Sequence, residues 1–511
     1  MADGYDFASV LVKTREGRPI KIENNKLAGH VGNPNARVHA SVLSMYDTKR
    51  LQGPKANGQD VSWSQLDEEV GSKLNNLGGK QIVILTSTLA SPSTSKLIAD
   101  FSGRYSGVKH VIYDAIGENA ALDAFQNKYG TRALADYDFS DSEVIVSIGA
   151  DILGDWQGGG YDSSYAQSRV PKNGIMSRHV QFESNMTLSG ANADKRVPMK
   201  PSDQKKAVVA VHSILMSGGS TNLPEELDLA VKQAVAQLRK AGSKGVFVTG
   251  VPDVNAQLLA LEINEHLGST AMDVAEPKLV RQGNAQDVAQ LVSDMNAGSV
   301  GALLIVGVNP VYSLPNADEF KAGLDKVDLK VAFAMKEDET AKFANYIAAT
   351  PHYLESWGDV QMKKGNFSLM QPTIRPLFNT RQFQDSLLKW TGNTKNYYDY
   401  IKETWTSSVL AGGSWNQALH DGFVESSAEV SMEDATADEA NMTLESGTNN
   451  GALAASAQNG GGYELTLYTK TALGDGQQAN NPWLQEMPDP ITRTSWDNYL
   501  TISAADAKEL G

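Results

Sequence analysis

Cysteine is absent from this chain of 511 residues. The chain therefore forms no disulfide, and no site in it uses thiolate ligands for zinc, an iron–sulfur cluster or haem. Thiol-based catalysis is excluded for the same reason. This one absence removes whole classes of redox and structural metal sites before any motif is considered.

Long apolar runs and an excess of basic residues are also missing. No stretch approaches the roughly 20 apolar residues that a membrane helix needs, and the mean hydropathy is −0.33. The 45 Lys and Arg stand against 60 Asp and Glu, which gives a net charge of −15. We therefore expect no direct membrane span. Nucleic acid is also not expected as a partner, because phosphate binding needs a basic face.

Sequence motifs of common catalytic sites are missing as well. No glycine-rich dinucleotide fingerprint follows a strand, and there is no P-loop, HExxH or Ser-nucleophile elbow. The eight His residues form no metal-binding pair of the HxH kind. Composition and spacing alone thus leave the function open.

The fold class follows from short apolar runs that alternate with turns and helical patterns. Such runs lie at residues 81–85, 144–148, 246–249, 302–306, 330–334 and 346–349. Continuous apolar runs of this length are typical of strands buried on both faces of a parallel sheet. Strands that alternate with helices indicate βαβ units. The sequence therefore predicts an α/β protein with parallel, Rossmann-like sheets.

Glycine follows three of the predicted strands, at Gly149, Gly250 and Gly307. Backbone N–H groups at a helix N-terminus can bind phosphate, and ligands of open α/β sheets lie at the carboxyl ends of the strands. A nucleotide-binding module at these glycines is therefore one hypothesis. The geometry of tight turns alone also accounts for each glycine.

Two groups of ionisable residues follow predicted strands. His352 precedes Glu355 and Asp359, which makes a candidate acid/base pair, although a structured loop after residues 346–349 explains the same residues. Asp151 and Asp155 are candidates for a cation site. Carboxylates at this spacing more often cap helices or face solvent.

The charge pattern changes in the last quarter of the chain. Residues 403–469 contain no Lys or Arg, and residues 425–445 hold seven acids. We expect a linker or insertion over 424–462, acidic and then rich in Gly, Ala and Asn, which is either solvated or an acidic contact for a cationic partner. The period-two alternation at 463–469 predicts a half-buried antiparallel strand.

These features divide the chain into four predicted parts. They are an extended or β N-terminal segment at 1–60, two interleaved Rossmann-like α/β domains at 61–423, the linker at 424–462, and the start of a C-terminal β-rich, barrel-type domain at 463–511. Residues 504–511 have the pattern of a helix cut at its end, so we expect a longer polypeptide.

Several segments resemble known proteins, in the same order along the chain. They are residues 15–24 (REGRPIKIEN), 44–54 (SMYDTKRLQGP), 306–310 (VGVNP), 354–359 (LESWGD), 371–381 (QPTIRPLFNTR) and 483–499 (WLQEMPDPITRTSWDNY). The first three resemble molybdopterin oxidoreductases of the dimethyl-sulfoxide-reductase family. The last three are more specific and resemble the iron–sulfur subunit of bacterial alternative complex III.

The resemblance implies a dimethyl-sulfoxide-reductase-like fold over nearly the whole chain except 424–462. It implies the molybdopterin-oxidoreductase-like half of that subunit, which has no redox cofactor of its own, with iron–sulfur clusters in the downstream half. The implied partners are a multihaem cytochrome c and an integral-membrane quinol-binding subunit, with a terminal oxidase as a further candidate. The implied location is the periplasmic face of the bacterial inner membrane, in a complex that oxidises quinol and passes electrons to cytochrome c or an oxidase.

The positions expected to contact a pterin depart from the family pattern. The vestigial pterin-site positions are Gly307, Asn309, Glu355, Gly365 and Gln371. Asn366 stands where the family has an Arg, and Asn cannot replace an Arg that donates bidentately to phosphate. The N-terminal Cys cluster of the catalytic family is absent. We therefore expect no catalytic residue, no cofactor and no metal in this chain.

An active enzyme is the alternative that the resemblance leaves open. It would be a molybdenum or tungsten oxidoreductase of the polysulfide-reductase type with Asp or Ser as the metal ligand. Asp114 lies near the region where that ligand is expected.

Overall fold

A computed structural model describes residues 1–25, 32–171, 174–219, 222–428, 453, 456–457 and 462–511. These residues form two compact units. Unit 1 comprises Met1–Asn119, Arg132–Leu134 and Ala275–Leu444, and unit 2 comprises Ala120–Thr131, Ala135–Val274 and Glu445–Gly511. Both units contain parallel sheets with helices, which confirms the predicted α/β fold class.

The strands follow one another along the described chain as short elements of two to seven residues. They are β1 (Val10–Arg15), β2 (Arg18–Asn24), β3 (Lys55–Ala56), β4 (Gln59–Asp60), β5 (Gln81–Thr86), β6 (Val108–Ile112), β7 (Leu134–Tyr137), β8 (Val144–Ile148), β9 (Arg178–Glu183), β10 (Lys195–Pro198), β11 (Gly245–Thr249), β12 (Met272–Lys278), β13 (Val300–Val306), β14 (Leu329–Ala334), β15 (Tyr346–Ala349), β16 (Gly358–Lys363), β17 (Asn366–Met370) and β18 (Phe423–Glu425).

The α-helices of the described residues lie between these strands and after them. They are α1 (Ala36–Ser44), α2 (Trp63–Leu74), α3 (Pro92–Arg104), α4 (Asn119–Tyr129), α5 (Asp162–Ser168), α6 (Leu188–Asn192), α7 (Pro201–Ser217), α8 (Glu225–Ala241), α9 (Val254–Leu267), α10 (Ala285–Ala297), α11 (Pro310–Ser313), α12 (Ala317–Leu324), α13 (Phe383–Trp390), α14 (Tyr397–Thr404), α15 (Trp415–Asp421), α16 (Pro482–Glu486) and α17 (Ala504–Leu510). A π-helical turn, Trp405–Val409, follows α14.

The central sheet of unit 1 has the order β4-β3-β15-β14-β13-β5-β6. Strands β15, β14, β13, β5 and β6 are parallel, and β3 runs antiparallel to β15 at one side. Alternate residues of β5 enter different cores. Ile82 and Ile84 pack with α2, α3 and α13, whereas Val83 and Leu85 pack with α10 and α12. Burial on both faces explains why the strand is apolar at every one of these positions.

The main sheet of unit 2 has four parallel strands in the order β10-β9-β8-β11. Helices α7, α8 and α9 cover it, and residues such as Val146, Phe182 and Phe247 lie in the core that they share. The amphipathic helix α8 buries Val231 and Val235 in this core.

Unit 1 has antiparallel elements outside its central sheet. Strands β1 and β2 form a hairpin, and β16, β17 and β18 form a meander that β12 joins through the pair Lys278↔Lys363. Helix α1 lies inside the segment 1–60 that the sequence predicted as extended or β. Asn35 caps this helix, because its side-chain oxygen accepts the backbone N–H of Val38 at 3.0 Å.

The predicted strand at 463–469 is not a strand in the structure. Residues 462–511 contain the short helices α16 and α17 and no strand, so a C-terminal barrel is not shown. An alternating apolar and polar pattern favours a strand, but a strand forms only where a neighbouring segment pairs with it. The predicted linker at 424–462 lies mostly outside the described residues. No helix in the described ranges is long and apolar enough to cross a membrane.

Gly250 is a position where the fold of unit 2 tolerates no side chain. A Cβ there would lie 2.2 Å from the carbonyl oxygen of Gly149. We expect Gly250→Ala to lower the free energy of unfolding by about 1–3 kcal/mol, because two strand ends must separate. Gly103→Ala is the control, since a Cβ at Gly103 meets nothing within 4 Å. Urea unfolding curves with equal midpoints for both variants would contradict the close packing.

Candidate functional site

The strand order of the unit 1 sheet reverses at a point where open α/β sheets commonly bind ligands. Strand β6 lies on one side of β5, and β13, β14 and β15 follow on the other side, so the order reverses between β5 and β13. Open α/β sheets bind ligands at such a reversal, outside the carboxyl ends of the strands. The residues that follow Thr86 and Val306 are therefore the first place to look for a site.

The loop after β13 carries Gly307 and Asn309, two of the predicted vestigial positions. Gly307 has φ +65°, a left-handed conformation that glycine adopts without strain. The side-chain oxygen of Asn309 accepts from Thr340 N at 3.1 Å and from Thr340 Oγ1 at 2.6 Å. Its Nδ2 donates to Glu339 at 2.7 Å. Asn309 thus joins this loop to the loop after β14.

Glu355 is held by a buried ion pair with Arg50. Arg50 donates Nη2 to Oε2 at 2.6 Å and Nη1 to Oε1 at 3.2 Å, and both side chains are 0% exposed. The backbone N–H groups of His352 and Leu377 donate to the same carboxylate at 2.8 and 3.0 Å. Burial acts to raise the pKa of Glu355, but these donors and the Arg50 charge hold that pKa below its usual value.

The predicted acid/base pair of His352 with Glu355 or Asp359 is not formed by side-chain contact. The ring of His352 bonds the backbone of Leu354 and Ser41, and the Glu355 side chain contacts His352 only at its backbone N–H. Burial, assisted by the charge of Arg50, lowers the pKa of His352 to about 4. The imidazole is therefore neutral at neutral pH and serves to hold the loop.

Asp359 is a second wholly buried carboxylate, and it anchors the start of α3. It accepts from Ser91 Oγ and Ser93 Oγ at 2.5 Å each and from Trp405 Nε1 at 2.8 Å. Burial raises its pKa, and the hydroxyl donors act against that rise. This role could not be predicted from the sequence, because Ser91 and Trp405 lie 268 and 46 residues from Asp359 along the chain.

Gly365 and Gln371 flank the two ends of β17. Gly365 has φ +83° in the turn between β16 and β17, and Asn366 begins the following strand. The side chain of Gln371 donates to the carbonyl of Leu419 at 2.7 Å. Five strand residues separate these positions by about 20 Å, so they do not form one small site.

Asp114, which lies near the region where the alternative hypothesis expects a metal ligand, is bound by its own chain. Its carboxylate accepts from Thr88 N at 2.9 Å, from Thr88 Oγ1 at 2.5 Å and from Gly283 N at 2.9 Å. A Cβ on Gly283 would lie 2.9 Å from the backbone N of Asp114. The loop is packed around this carboxylate.

The N-terminal residues cover the end of β5, a contact that the sequence analysis did not foresee. A Cβ on Gly4 would lie 2.1 Å from Ser87 Oγ. The guanidinium of Arg281 lies 3.4 Å from the centroid of the Tyr5 ring. Tyr5 and Arg281 are both buried. A ligand at the carboxyl end of β5 would therefore have to displace Gly4, Tyr5 and Arg281.

The corresponding reversal in unit 2 lies between β8 and β11. Gly149 and Gly250 end these strands in direct contact, and a Cβ on Gly149 would lie 2.7 Å from Gln204 Oε1. A neighbouring cavity of about 10 Å³ is lined by residues that include Phe125, Tyr137 and Trp156, with no charged residue among them. A cavity with room for about one water molecule does not fit a dinucleotide, and tight packing explains the two glycines.

Asp151 and Asp155 follow β8, where a cation site was considered. Asp151 accepts from Ser189 N at 2.9 Å and from Ser189 Oγ at 2.6 Å, so it orders the start of α6. Burial raises the pKa of Asp151, which disfavours the charged form. Within the described ranges, no group of three or more His, Asp or Glu side chains is arranged to hold a metal ion.

Comparison with known proteins identifies relatives of one kind. No family model matches the chain. The chain is 25% identical over 437 residues to the "Menaquinone reductase, molybdopterin-binding-like subunit" of Nitratidesulfovibrio vulgaris, which covers 75% of this chain and 63% of that protein. It is 24% identical over 193 residues to the "NADPH-Fe(3+) oxidoreductase subunit alpha" of Geobacter sulfurreducens. That match covers 36% of this chain and 22% of the relative. It is 28% identical over 114 residues to the "Assimilatory nitrate reductase catalytic subunit" of Bacillus subtilis. That match covers 22% of this chain and 16% of the relative.

A solved structure is similar in fold. Acetylene hydratase from Pelobacter acetylenicus superposes with a TM-score of 0.57 at 13% identity, over 82% of this chain and 72% of that one. The fold is thus that of the dimethyl-sulfoxide-reductase family, and the relatives are molybdopterin-oxidoreductase-like proteins. The chain spans less than two thirds of the menaquinone reductase subunit's length.

Breaking the Arg50–Glu355 pair tests its structural role. We expect Arg50→Met to lower the free energy of unfolding by about 3–5 kcal/mol, because it leaves a carboxylate buried without its cation. The double variant Arg50→Met/Glu355→Leu should recover most of that loss. Lys21→Met is the control, since the Lys21–Glu23 pair is exposed and such pairs contribute about 0–1 kcal/mol. Equal urea midpoints for Arg50→Met and Lys21→Met would refute the role.

The buried His352 predicts a loss of stability in mild acid. Its pKa falls from 6.5 to about 4 on folding, so the unfolded chain takes up the proton first. The free energy by which neutral His352 stabilises the fold is complete above pH 6.5. It declines by up to about 1.4 kcal/mol per pH unit as the pH falls from 6.5 to 4. In urea unfolding measured across this pH range, the free energy of unfolding should change less steeply with pH for His352→Gln than for wild type. The control is His420→Gln, which removes an exposed imidazole.

Proposed function

We propose that this chain is the molybdopterin-oxidoreductase-like scaffold of an alternative-complex-III-type electron-transfer assembly and carries no redox cofactor of its own. In this proposal the chain is one half of the iron–sulfur subunit, and the clusters lie in the downstream half. The name of one relative, a "molybdopterin-binding-like subunit" of a menaquinone reductase, agrees with a part in quinone chemistry.

The observation that carries the proposal is that the strand-end carboxylates and amides already bind their own chain. Asn309, Glu355 and Asp114 each accept two or more hydrogen bonds from neighbouring loops. A pterin dinucleotide would have to replace such bonds, and each buried acceptor left unpaired costs about 1–3 kcal/mol. In this proposal, these side chains stabilise the fold instead of binding a cofactor.

The role that remains for such a chain is to dock and position other subunits. The proposed partners are a multihaem cytochrome c and an integral-membrane quinol-binding subunit, with a terminal oxidase as a further partner. The assembly would lie at the periplasmic face of the inner membrane. The membrane subunit would oxidise quinol, and the clusters and haems would carry the electrons to cytochrome c or the oxidase.

An active molybdenum or tungsten oxidoreductase of the polysulfide-reductase type is the second candidate. The 28% identity to a nitrate reductase catalytic subunit over 114 residues favours it. Asp114 would then be the metal ligand. The three hydrogen bonds that Asp114 accepts within 2.9 Å count against this role, because the metal would compete with them.

Affinity purification of the tagged full-length protein from its native host tests the scaffold proposal. We expect subunits with haem and iron–sulfur absorption and electron-paramagnetic-resonance signals to co-purify in fixed ratio. The preparation should oxidise a quinol and reduce cytochrome c or oxygen. A chain that purifies without redox subunits would contradict the proposal.

The variant Asp114→Asn separates the two candidates. The scaffold proposal predicts that quinol oxidation per assembled complex stays within about twofold of wild type, since no reacting atom touches Asp114. The enzyme alternative predicts a loss of activity in a complex that assembles normally. Asp318→Asn, whose side chain is 98% exposed, is the matched control for removing one carboxylate from unit 1.

A further inference from the structure

The hairpin of β1 and β2 in unit 1, here named the basic hairpin, is positively charged in an acidic protein. Residues 10–24 hold four Lys and Arg against two Glu, whereas the whole chain has a net charge of −15. All four cations are exposed, and they are Lys13, Arg15, Arg18 and Lys21. The charge of the basic hairpin is therefore opposite to that of the rest of the chain.

The two faces of the basic hairpin differ in what they contact. Val12 and Ile22 are paired across the strands and lie in one apolar cluster with residues of α1. Side chains alternate between the faces of a strand, so the next pair, Lys13 and Lys21, lies on the face that points away from α1. Leu11 lies on that same face and is 50% exposed. The outward face thus presents cations beside an apolar side chain.

The strand pairing places like charges directly opposite each other. Lys13 is paired with Lys21, and Arg15 is paired with Arg18. The Cβ atoms of opposite residues lie about 5 Å apart, and like charges at that distance lower the stability of the hairpin. The two-residue turn has positive φ at both positions, as a type I′ turn requires, and it fixes Arg15 opposite Arg18. The isolated chain therefore bears two repulsive pairs.

The chain itself supplies little counter-charge to the basic hairpin. Lys21 contacts Glu23 at 3.0 Å, and Glu23 also attracts Lys13. In the parts of the chain that the structure describes, Lys13, Arg15 and Arg18 form no ion pair. Residues 26–31, which follow β2 in the sequence, include no Asp or Glu. Carboxylates from outside would relieve both repulsive pairs.

We propose that the basic hairpin docks an acidic segment of a different polypeptide, whose Asp and Glu side chains contact the opposed cations and whose apolar side chains cover Leu11. A carboxylate beside two opposed cations replaces their repulsion with attraction, so charge complementarity selects an anionic occupant. Burial of Leu11 adds an apolar contact, which a protein partner provides.

The charge of the rest of the chain selects among anionic occupants. An extended polyanion, such as a nucleic acid or an anionic membrane, would also face the remainder of the chain, whose net charge is more negative than −15. A second copy of this chain brings its own net charge of −15, which opposes self-association. A local acidic segment of another protein meets the basic hairpin alone.

This inference rests on the proposed function only for the identity of the partner as a subunit of the redox assembly. The basic hairpin would then be a point where the scaffold holds that subunit. Its cations would be neutralised and Leu11 would be buried in the assembly.

Carbodiimide crosslinking of the assembly purified from its native host, followed by mass spectrometry, tests the contact. The reagent joins a Lys amine to a carboxylate without a spacer. We expect Lys13 or Lys21 to be joined to Asp or Glu in one segment of a different polypeptide. Lys364, an exposed Lys of the same unit, is the control and should not reach that segment. Crosslinks only within this chain or between two copies, or no crosslink, would overturn the inference.

Charge reversal separates docking from folding. The variant Lys13→Glu/Arg18→Glu converts both repulsive pairs into pairs of opposite charge. The melting temperature of the isolated full-length chain should stay within about 2 °C of wild type or rise, because opposite charges across strands are favourable. Recovery of the crosslinked partner from the native host should fall at least about tenfold, because the partner's carboxylates would now meet acids.

The matched control is Lys342→Glu/Lys364→Glu, which makes the same change of net charge at two exposed Lys of unit 1 outside the basic hairpin. It should leave partner recovery within about twofold of wild type. Equal recovery with the hairpin variant and the control would overturn the inference. So would flotation of the isolated chain with vesicles of phosphatidylcholine and phosphatidylglycerol that the hairpin variant abolishes, because the occupant would then be a membrane.

The outcomes separate this inference from the proposed function. Redox subunits that co-purify equally with wild type and with the hairpin variant overturn the docking inference and leave the proposed function standing. An acidic segment crosslinked to Lys13 in a partner without haem or iron–sulfur clusters supports the docking inference and contradicts the proposed function.

Discussion

The buried pair of Arg50 and Glu355 fixes the loops of unit 1 to one another. A charge in the interior is tolerated only with a partner and further hydrogen bonds, and here the carboxylate has Arg50 and two backbone donors. Arg50 also donates to the carbonyl of Met45 at 2.8 Å. Tyr353 in the same loop meets Ser41 of α1 at 2.7 Å. The N-terminal segment and the segment around residue 355 are therefore ordered together.

The same use of polar groups recurs at each strand end. Asn309 bonds the loop after β14, Asp114 bonds the loops of Thr88 and Gly283, and Asp151 bonds the start of α6. Both units keep the strand order that creates a ligand crevice, yet the groups beside it bond the protein itself. The fold is that of the dimethyl-sulfoxide-reductase family, and its strand-end polar groups bond neighbouring loops of the same chain.

The fold was predictable because its signal is local. Residues 81–85 or 302–306 are apolar throughout, and that pattern alone indicates a strand covered on both faces. The glycines at 149 and 307 were correctly placed in turns after strands. The strand predicted at 463–469 is not formed among the described residues, because pairing depends on residues elsewhere in the chain.

The site was less predictable because its contacts are distant in sequence. Glu355 was singled out as a pterin-site position, and its partner Arg50 lies 305 residues away. Gly149 and Gly250 were read as separate turns, and their contact depends on β8 and β11 being neighbours. Nothing in the local sequence around Tyr5 indicates that its ring meets Arg281.

The most direct test of the account is the metal and pterin content of the protein purified from its native host. Elemental analysis for molybdenum and tungsten, with fluorescent pterin extraction on the same sample, measures it. The account predicts less than about 0.1 atom of either metal and no pterin per chain, since a cofactor would have to replace hydrogen bonds that Asp114 and Glu355 already make within the chain. Stoichiometric molybdenum or tungsten with pterin would contradict it.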